Sequence, residues 1–86
     1  MAHFYILHSA KLDQYYYGSA YDAEQRLKRH NLGHQKSTRS GIPWKLVYTE
    51  YFETSEQAYH REIEVKRKKS RKYAEWLIGI QRGLTE

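Results

Sequence analysis

Hydrophobic and polar positions along the chain change period several times, and each change marks an element. Residues 3–9 (HFYILHS) are rich in β-formers and apolar on both faces, with Phe4 and Ile6 on one and Tyr5 and Leu7 on the other. A strand of that kind belongs in the middle of its sheet. A second run, 15–18 (YYYG), follows AKLDQ, a polar connection of hairpin length, and the two predict an antiparallel β-hairpin. Asp22 is placed to cap a helix, with Gln25 three residues on completing a capping-box pattern. That helix runs to about Asn31, and Gly33 supplies a left-handed stop. Residues 33–43 (GHQKSTRSGIP) read as a loop, and WKLVYTEYF (44–52) as the third strand. Thr54 and Gln57 cap a second helix, and Ser70 starts a third that ends near Gly79 or Gly83. The order β-β-α-β-α-α predicts a small α+β domain, a three-stranded antiparallel sheet flanked by helices.

Length supports one domain: 86 residues are enough for a single small core and not for two, so one domain is expected over 1–86 with its core at about 3–79. No internal repeat or linker interrupts it. The absence of cysteine excludes a disulfide scaffold, a zinc ribbon and a Cys nucleophile. No apolar run approaches the roughly 20 residues of a membrane span, and the start lacks a signal-peptide n-region. The expectation is a cytoplasmic protein with no membrane partner.

Charge adds a polyanion. The chain carries +5 overall, and residues 60–72 (HREIEVKRKKSRK) hold seven Lys or Arg against two Glu. The whole excess therefore lies in one stretch, as for a nucleic-acid contact, with a solvated helical face as the simpler alternative.

Three sets of residues are unusual for packing alone. Ala58, Tyr59, Ile63 and Val65 define the apolar arc of the second helix, and Glu62 falls near its middle. Such a carboxylate either pairs with Lys66 one turn on or holds a metal, and a lone Glu suits Mg²⁺, which keeps most of its waters. Arg26 and His30 stand four apart on the stripe of Ala23 and Leu27, as a phosphate-binding pair or as a surface Arg beside a semi-buried His. Tyr5 and Tyr16, one on each hairpin strand, carry hydroxyls that a core does not need, and amphipathic tyrosines at the core edge are the plain alternative. The five histidines are scattered, and no His-built zinc centre is expected.

Together these features resemble the GIY-YIG nuclease superfamily, in particular small standalone members similar to the N-terminal nuclease domain of the excinuclease C subunit. The first motif is His3-Phe4-Tyr5 and the second Tyr16-Tyr17-Gly18, with eleven residues from Tyr5 to Tyr16. GSAYDAEQRLKRHN (18–31), IPWKLVYTEYF (42–52) and AYHREIEVKRKKSRKYAEWLI (58–78) follow in the family's order. The chain departs from the pattern at His3, where the family has Gly, and at Tyr17, where Ile is usual. Many standalone members also carry Gly-Lys-Gly and a Tyr in the loop that here reads GHQKSTRSG.

The resemblance implies a single-metal phosphodiesterase acting on DNA. Glu62 would hold Mg²⁺ or Mn²⁺, Arg26 would stabilise charge on the phosphate, Tyr5 would activate water, and Tyr16 would bond water or phosphate. His30 would orient Tyr5 or relay its proton, and all five would converge over one face of the sheet. Lys66, Arg67, Lys68, Lys69, Arg71 and Lys72 would track the DNA backbone, with Lys36, Thr38 and Arg39 as further phosphate contacts. No small-molecule cofactor is expected. Low sequence preference, or preference for a flap, branch or single strand, is expected, with targeting by a partner protein or a homodimer as an alternative. DNA repair is among the compatible roles. The competing reading is a non-catalytic nucleic-acid-binding module that keeps the fold. A small basic RNA-binding or ribosome-associated protein ranks below both, since no aromatic RNA-stacking motif is present.

Overall fold

The computed structural model describes residues 1–85. Strand β1 (Ala2–Ser9) pairs antiparallel with β2 (Gln14–Ala20) and with β3 (Trp44–Phe52), giving the sheet order β2-β1-β3 with β1 central. Helix α1 (Ala23–Asn31) follows β2, and a 3-10 helix (Lys36–Gly41) occupies the segment read as loop. Helices α2 (Ser55–Lys68) and α3 (Arg71–Thr85) complete the chain. The α3 helix passes through both Gly79 and Gly83 without stopping, because a single Gly lowers helix stability without breaking the hydrogen-bond ladder.

The two apolar faces of β1 each build a core. Phe4 and Ile6 pack with Tyr48 of β3, Val65 of α2, and Ala74, Leu77 and Ile78 of α3. Tyr5 and Leu7 pack on the opposite face with Ala20, Ala23 and Trp44, and with Leu27 of α1. The sheet is thus sandwiched, with α1 and the 3-10 helix on one side and α2 and α3 on the other. Of the arc assigned to α2, Ala58 and Val65 are buried, whereas Tyr59 is 53% exposed. The register of β1 on β3 shifts between Ile6 and Leu7, where Val47 is the additional residue on β3.

Caps lie where the side chains predict. The Asp22 carboxylate accepts from the Gln25 N–H at 3.1 Å, although no return bond from the Gln25 side chain is present among the described residues. At the other end of α1, Gly33 adopts φ +81°, its N–H bonds the His30 carbonyl and the His34 N–H bonds that of Arg29. That pair of bonds is a Schellman termination. Around Thr54 the capping box is complete. Thr54→Ala is expected to cost about 1 kcal/mol in urea unfolding, because the Gln57 N–H loses the hydroxyl that accepts from it. An unchanged midpoint would show that the cap contributes nothing. Among the described residues, no helix is long and apolar enough to cross a membrane.

Candidate active site

Tyr5 and Gly18 face each other across β1 and β2. A Cβ built on Gly18 would lie 2.4 Å from the Tyr5 Oη and 2.5 Å from its Cζ, so the phenol ring occupies the space that any other residue would fill. The strand needs glycine here for this close approach and not for its backbone angles. Tyr5 is 1% exposed, and its hydroxyl lies 3.3 Å from His30 Nε2.

His30 is itself buried, and its other ring nitrogen meets Thr38 Oγ1 at 2.9 Å. The Thr38 hydroxyl donates to the Gln35 carbonyl at 3.2 Å, so toward His30 it can only accept. The network therefore assigns the proton to Nδ1 and leaves Nε2 to accept from the Tyr5 hydroxyl. Burial lowers the His30 pKa, and the Arg26 and Arg29 guanidiniums lower it further. Burial also pushes the Tyr5 phenol up to about 12, and Tyr16 and Glu62 act in the same direction while Arg26 opposes them. Arg26 and Glu62 thus both act on the hydroxyl that bonds His30.

The 3-10 helix supplies the remaining supports. Trp44 donates its indole N–H to the Thr38 carbonyl at 2.7 Å, holding Thr38 beneath His30. Gly41 admits that indole, since a Cβ there would lie 2.4 Å from Trp44 Cζ2. Asn31 brackets the Trp44 backbone, accepting from its N–H at 2.6 Å and donating to its carbonyl at 3.0 Å, which joins the end of α1 to β3. Gln35 Nε2 donates to the Tyr16 hydroxyl at 2.9 Å, leaving the Tyr16 O–H free to donate elsewhere. The Tyr16 and His30 rings are 4.8 Å apart.

Glu62 arrives from the other side of the sheet. Its Oε1 accepts from Ser19 Oγ at 2.9 Å and its Oε2 from Lys66 Nζ at 2.6 Å, and its side chain is 13% exposed. The expected convergence over one face is therefore corrected. Ser19 pairs with Phe4 on the α2 side, and Gly18 pairs with Tyr5 on the α1 side, so the two halves meet around the open edge of β2. Lys66 makes the i,i+4 pair that was one of the two readings of Glu62. His30 and His34 are also spaced i,i+4, the interval of a helical metal pair, but Gly33 ends α1 between them and His30 is committed to Tyr5 and Thr38. No cluster of three or more metal-ligating side chains exists among the described residues.

The basic run divides. Arg71 binds the Asp13 carboxylate and carbonyl, pairs with Glu75 and lies over the Tyr15 ring, fastening the hairpin turn to α3. Lys68 lies 5.2 Å over the Tyr73 ring, and Arg67, Lys69 and Lys72 are exposed. Lys36 and Arg39 are exposed on the 3-10 helix, Arg39 donating to the Gly33 carbonyl at 2.7 Å. Thr38 is corrected: it is 3% exposed and serves His30 instead of facing a phosphate. Gln35, Ser19 and Trp44 were not singled out by sequence as parts of the site, since a lone Gln, Ser or Trp carries no periodic or spacing signal.

Comparison with known proteins shows the family. A UPF0213 protein of Streptococcus pneumoniae is 38% identical over 81 residues, 93% of this chain and 81% of that one. The UPF0213 protein BH0048 of Halalkalibacterium halodurans is 34% identical over 84 residues, covering 96% of this chain and 88% of its own. UPF0213 protein CPE1444 of Clostridium perfringens is 41% identical over 68 residues, covering 78% and 72% respectively. No solved structure matches. The model of the GIY-YIG catalytic domain matches residues 1–74, and with the tyrosine-bearing hairpin, α1 and α2 all inside that match, the chain belongs to the GIY-YIG family.

Proposed function

We propose that this protein is a DNA endonuclease that hydrolyses phosphodiester bonds with one divalent metal, Mg²⁺ or Mn²⁺. The observation that carries the reading is the hydrogen-bonded line from Tyr5 through His30 to Thr38, with Arg26 and Glu62 acting on the same phenol. Glu62 fits a hard cation: it is a largely buried carboxylate whose oxygens each have one partner and a lone pair to spare. A Mg²⁺ that keeps its waters and shares a substrate phosphate asks for no second protein ligand. Bound there, the metal would offset charge on the scissile phosphate and leaving oxygen.

The proton inventory favours a relay. With its pKa near 12, Tyr5 at pH 7 is phenolate in only about one molecule in 10⁵, too few for a preformed base. A neutral His30 positioned on the hydroxyl takes the proton as Tyr5 removes one from water. An incoming phosphate offsets the positive field of Arg26 and Arg29, so His30 becomes a better base when substrate is present. Tyr16, with its O–H free, holds the water or a phosphate oxygen. The exposed Arg67, Lys69 and Lys72 attract the DNA backbone in a salt-dependent, sequence-independent way. Preference for a flap, branch or single strand, or targeting through a partner protein or second copy, belongs to the same proposal.

The test is nicking of supercoiled plasmid and cleavage of single-stranded and branched DNA with Mg²⁺, Mn²⁺ or EDTA. Metal-dependent cleavage lost in a folded Tyr5→Phe supports the reading. The relay also sets the pH profile. Since the His30 pKa lies below its usual value, turnover should be level from about pH 7 upward and fall only at more acidic pH, as His30 protonates. In His30→Ala the phenolate must form first, so a slower rate should climb about tenfold per pH unit toward 12. A wild-type profile that climbs throughout the alkaline range would exclude His30 as proton acceptor. The Glu62–Lys66 pair favours the alternative, a non-catalytic binding module, and binding without cleavage in either metal would decide for it.

A further inference from the structure

Arg26, Arg29, His30, His34 and Gln35 line a cavity of about 260 Å³ beside the tyrosines. Among the described residues, no carboxylate lines it. Arg29 has no carboxylate partner among the described residues, whereas Arg61 and Arg71 are each tied to two and Lys66 to one. Both guanidiniums depress the His30 pKa, which places two positive charges near one imidazole. Unpaired cations gathered in a concavity leave a binding need that an anion satisfies. The loop half of the wall, His34 and Gln35, lies where this chain departs from the Gly-Lys-Gly of many standalone relatives.

Two contacts locate the cavity relative to the chemistry. Gln35 bonds the Tyr16 hydroxyl at 2.9 Å, and His30 lies 3.3 Å from the Tyr5 hydroxyl. Both contacts put the cavity wall one hydrogen bond from a tyrosine hydroxyl, so a phosphate held there lies beside the reacting one and not far along the strand. We propose that this cavity binds the backbone phosphate adjacent to the one cleaved, with Arg29 and His34 as donors to it and Gln35 linking its occupancy to the position of Tyr16. Arg29 is then a substrate-binding residue outside the reaction centre. The inference rests on the nuclease reading and names how the strand is held.

The experiment uses a DNA oligonucleotide in which one neutral methylphosphonate linkage is moved stepwise along the strand. Wild-type, Arg29→Ala and Arg29→Lys proteins cut it in Mn²⁺, with every cleaved bond mapped. For wild type, a neutral linkage next to the cut should raise KM about tenfold, the loss of one charge-assisted contact. Arg29→Ala should show the same rise on ordinary DNA with kcat little changed, and no further rise with the neutral linkage. Its log–log salt dependence of binding should become shallower by about one unit, and Arg29→Lys should restore part of the affinity. An Arg29→Ala protein that matches wild type, or is equally sensitive to the neutral linkage, overturns the subsite while the nuclease reading stands. Sensitivity only to a terminal phosphate also overturns it. No cleavage by wild type brings down the nuclease reading, and the subsite with it.

Discussion

Glu62→Gln is expected to reduce cleavage by at least about 10³-fold while the protein stays folded and still binds DNA. The amide has the shape of the carboxylate. It can accept from Lys66 through its oxygen and donate to Ser19 through its nitrogen, so both neighbours of Glu62 keep a partner. Lys66 is half exposed, and a pair of that kind contributes at most about 1 kcal/mol, so unfolding should change little. DNA binding should hold or tighten, because one negative charge is removed from a chain that carries +5. What disappears is the anionic ligand on which the proposed metal would depend. Lys66→Ala separates this role from simple pairing, since it removes the same ion pair and leaves the carboxylate. That variant should bind DNA more weakly and retain metal-dependent turnover at saturating DNA. Equal losses of turnover in the two variants would return Glu62 to a structural role.

The second large effect is expected at Gly18, a residue with no chemistry of its own. Gly18→Ala sets a methyl 2.4 Å from the Tyr5 hydroxyl oxygen, against the ring and not a flexible chain end. Tyr5 is locked between β2 and the α1-side core, so the ring or the strand must shift. Overpacking of this sort typically costs about 1–3 kcal/mol in stability. A ring displaced by a fraction of an ångström also lengthens a hydrogen bond to His30 that already spans 3.3 Å. Cleavage is therefore expected to fall about 10²-fold or more in protein that remains folded, because catalytic geometry tolerates little displacement. A double-mutant cycle with Tyr5→Ala isolates the contact: once the ring is gone, the added methyl has room and its stability cost should vanish. If Gly18→Ala costs the same in both backgrounds, the clash with Tyr5 is not what makes glycine necessary.

Much of the scaffold was legible in the residues. The double-faced apolar pattern of β1 implies a central strand, and β1 is central. Asp22, Thr54 and Ser70 stand where local side-chain-to-backbone bonds start helices, and each accepts from the N–H three residues on. These features are readable because a cap or an alternating pattern is decided within a few residues. The 3-10 helix at Lys36–Gly41 was not readable in that way: it is pinned by Trp44 on Thr38 and by Gly41 beneath the indole, contacts without any period.

The site divides along the same line. Tyr5, Tyr16, Arg26, His30 and Glu62 could be picked out by sequence because each is the wrong residue for its place in a simple apolar pattern. What each touches depended on the folded chain. Tyr5 and His30 are 25 residues apart, Ser19 and Glu62 43, and Arg71 and Asp13 58. Arg71, counted by sequence among the DNA contacts, is tied to the hairpin, while Gln35, an ordinary loop residue by sequence, bonds Tyr16, and Thr38, expected as a phosphate contact, bonds His30. Periods of 2 and 3.6 say which residues share a face of one element, and this chain's residues determined that much unaided. They do not say on which side of the sheet each helix packs. That choice, made by packing both faces of β1 at once, brought Glu62 to the β2 edge from the side opposite Tyr5.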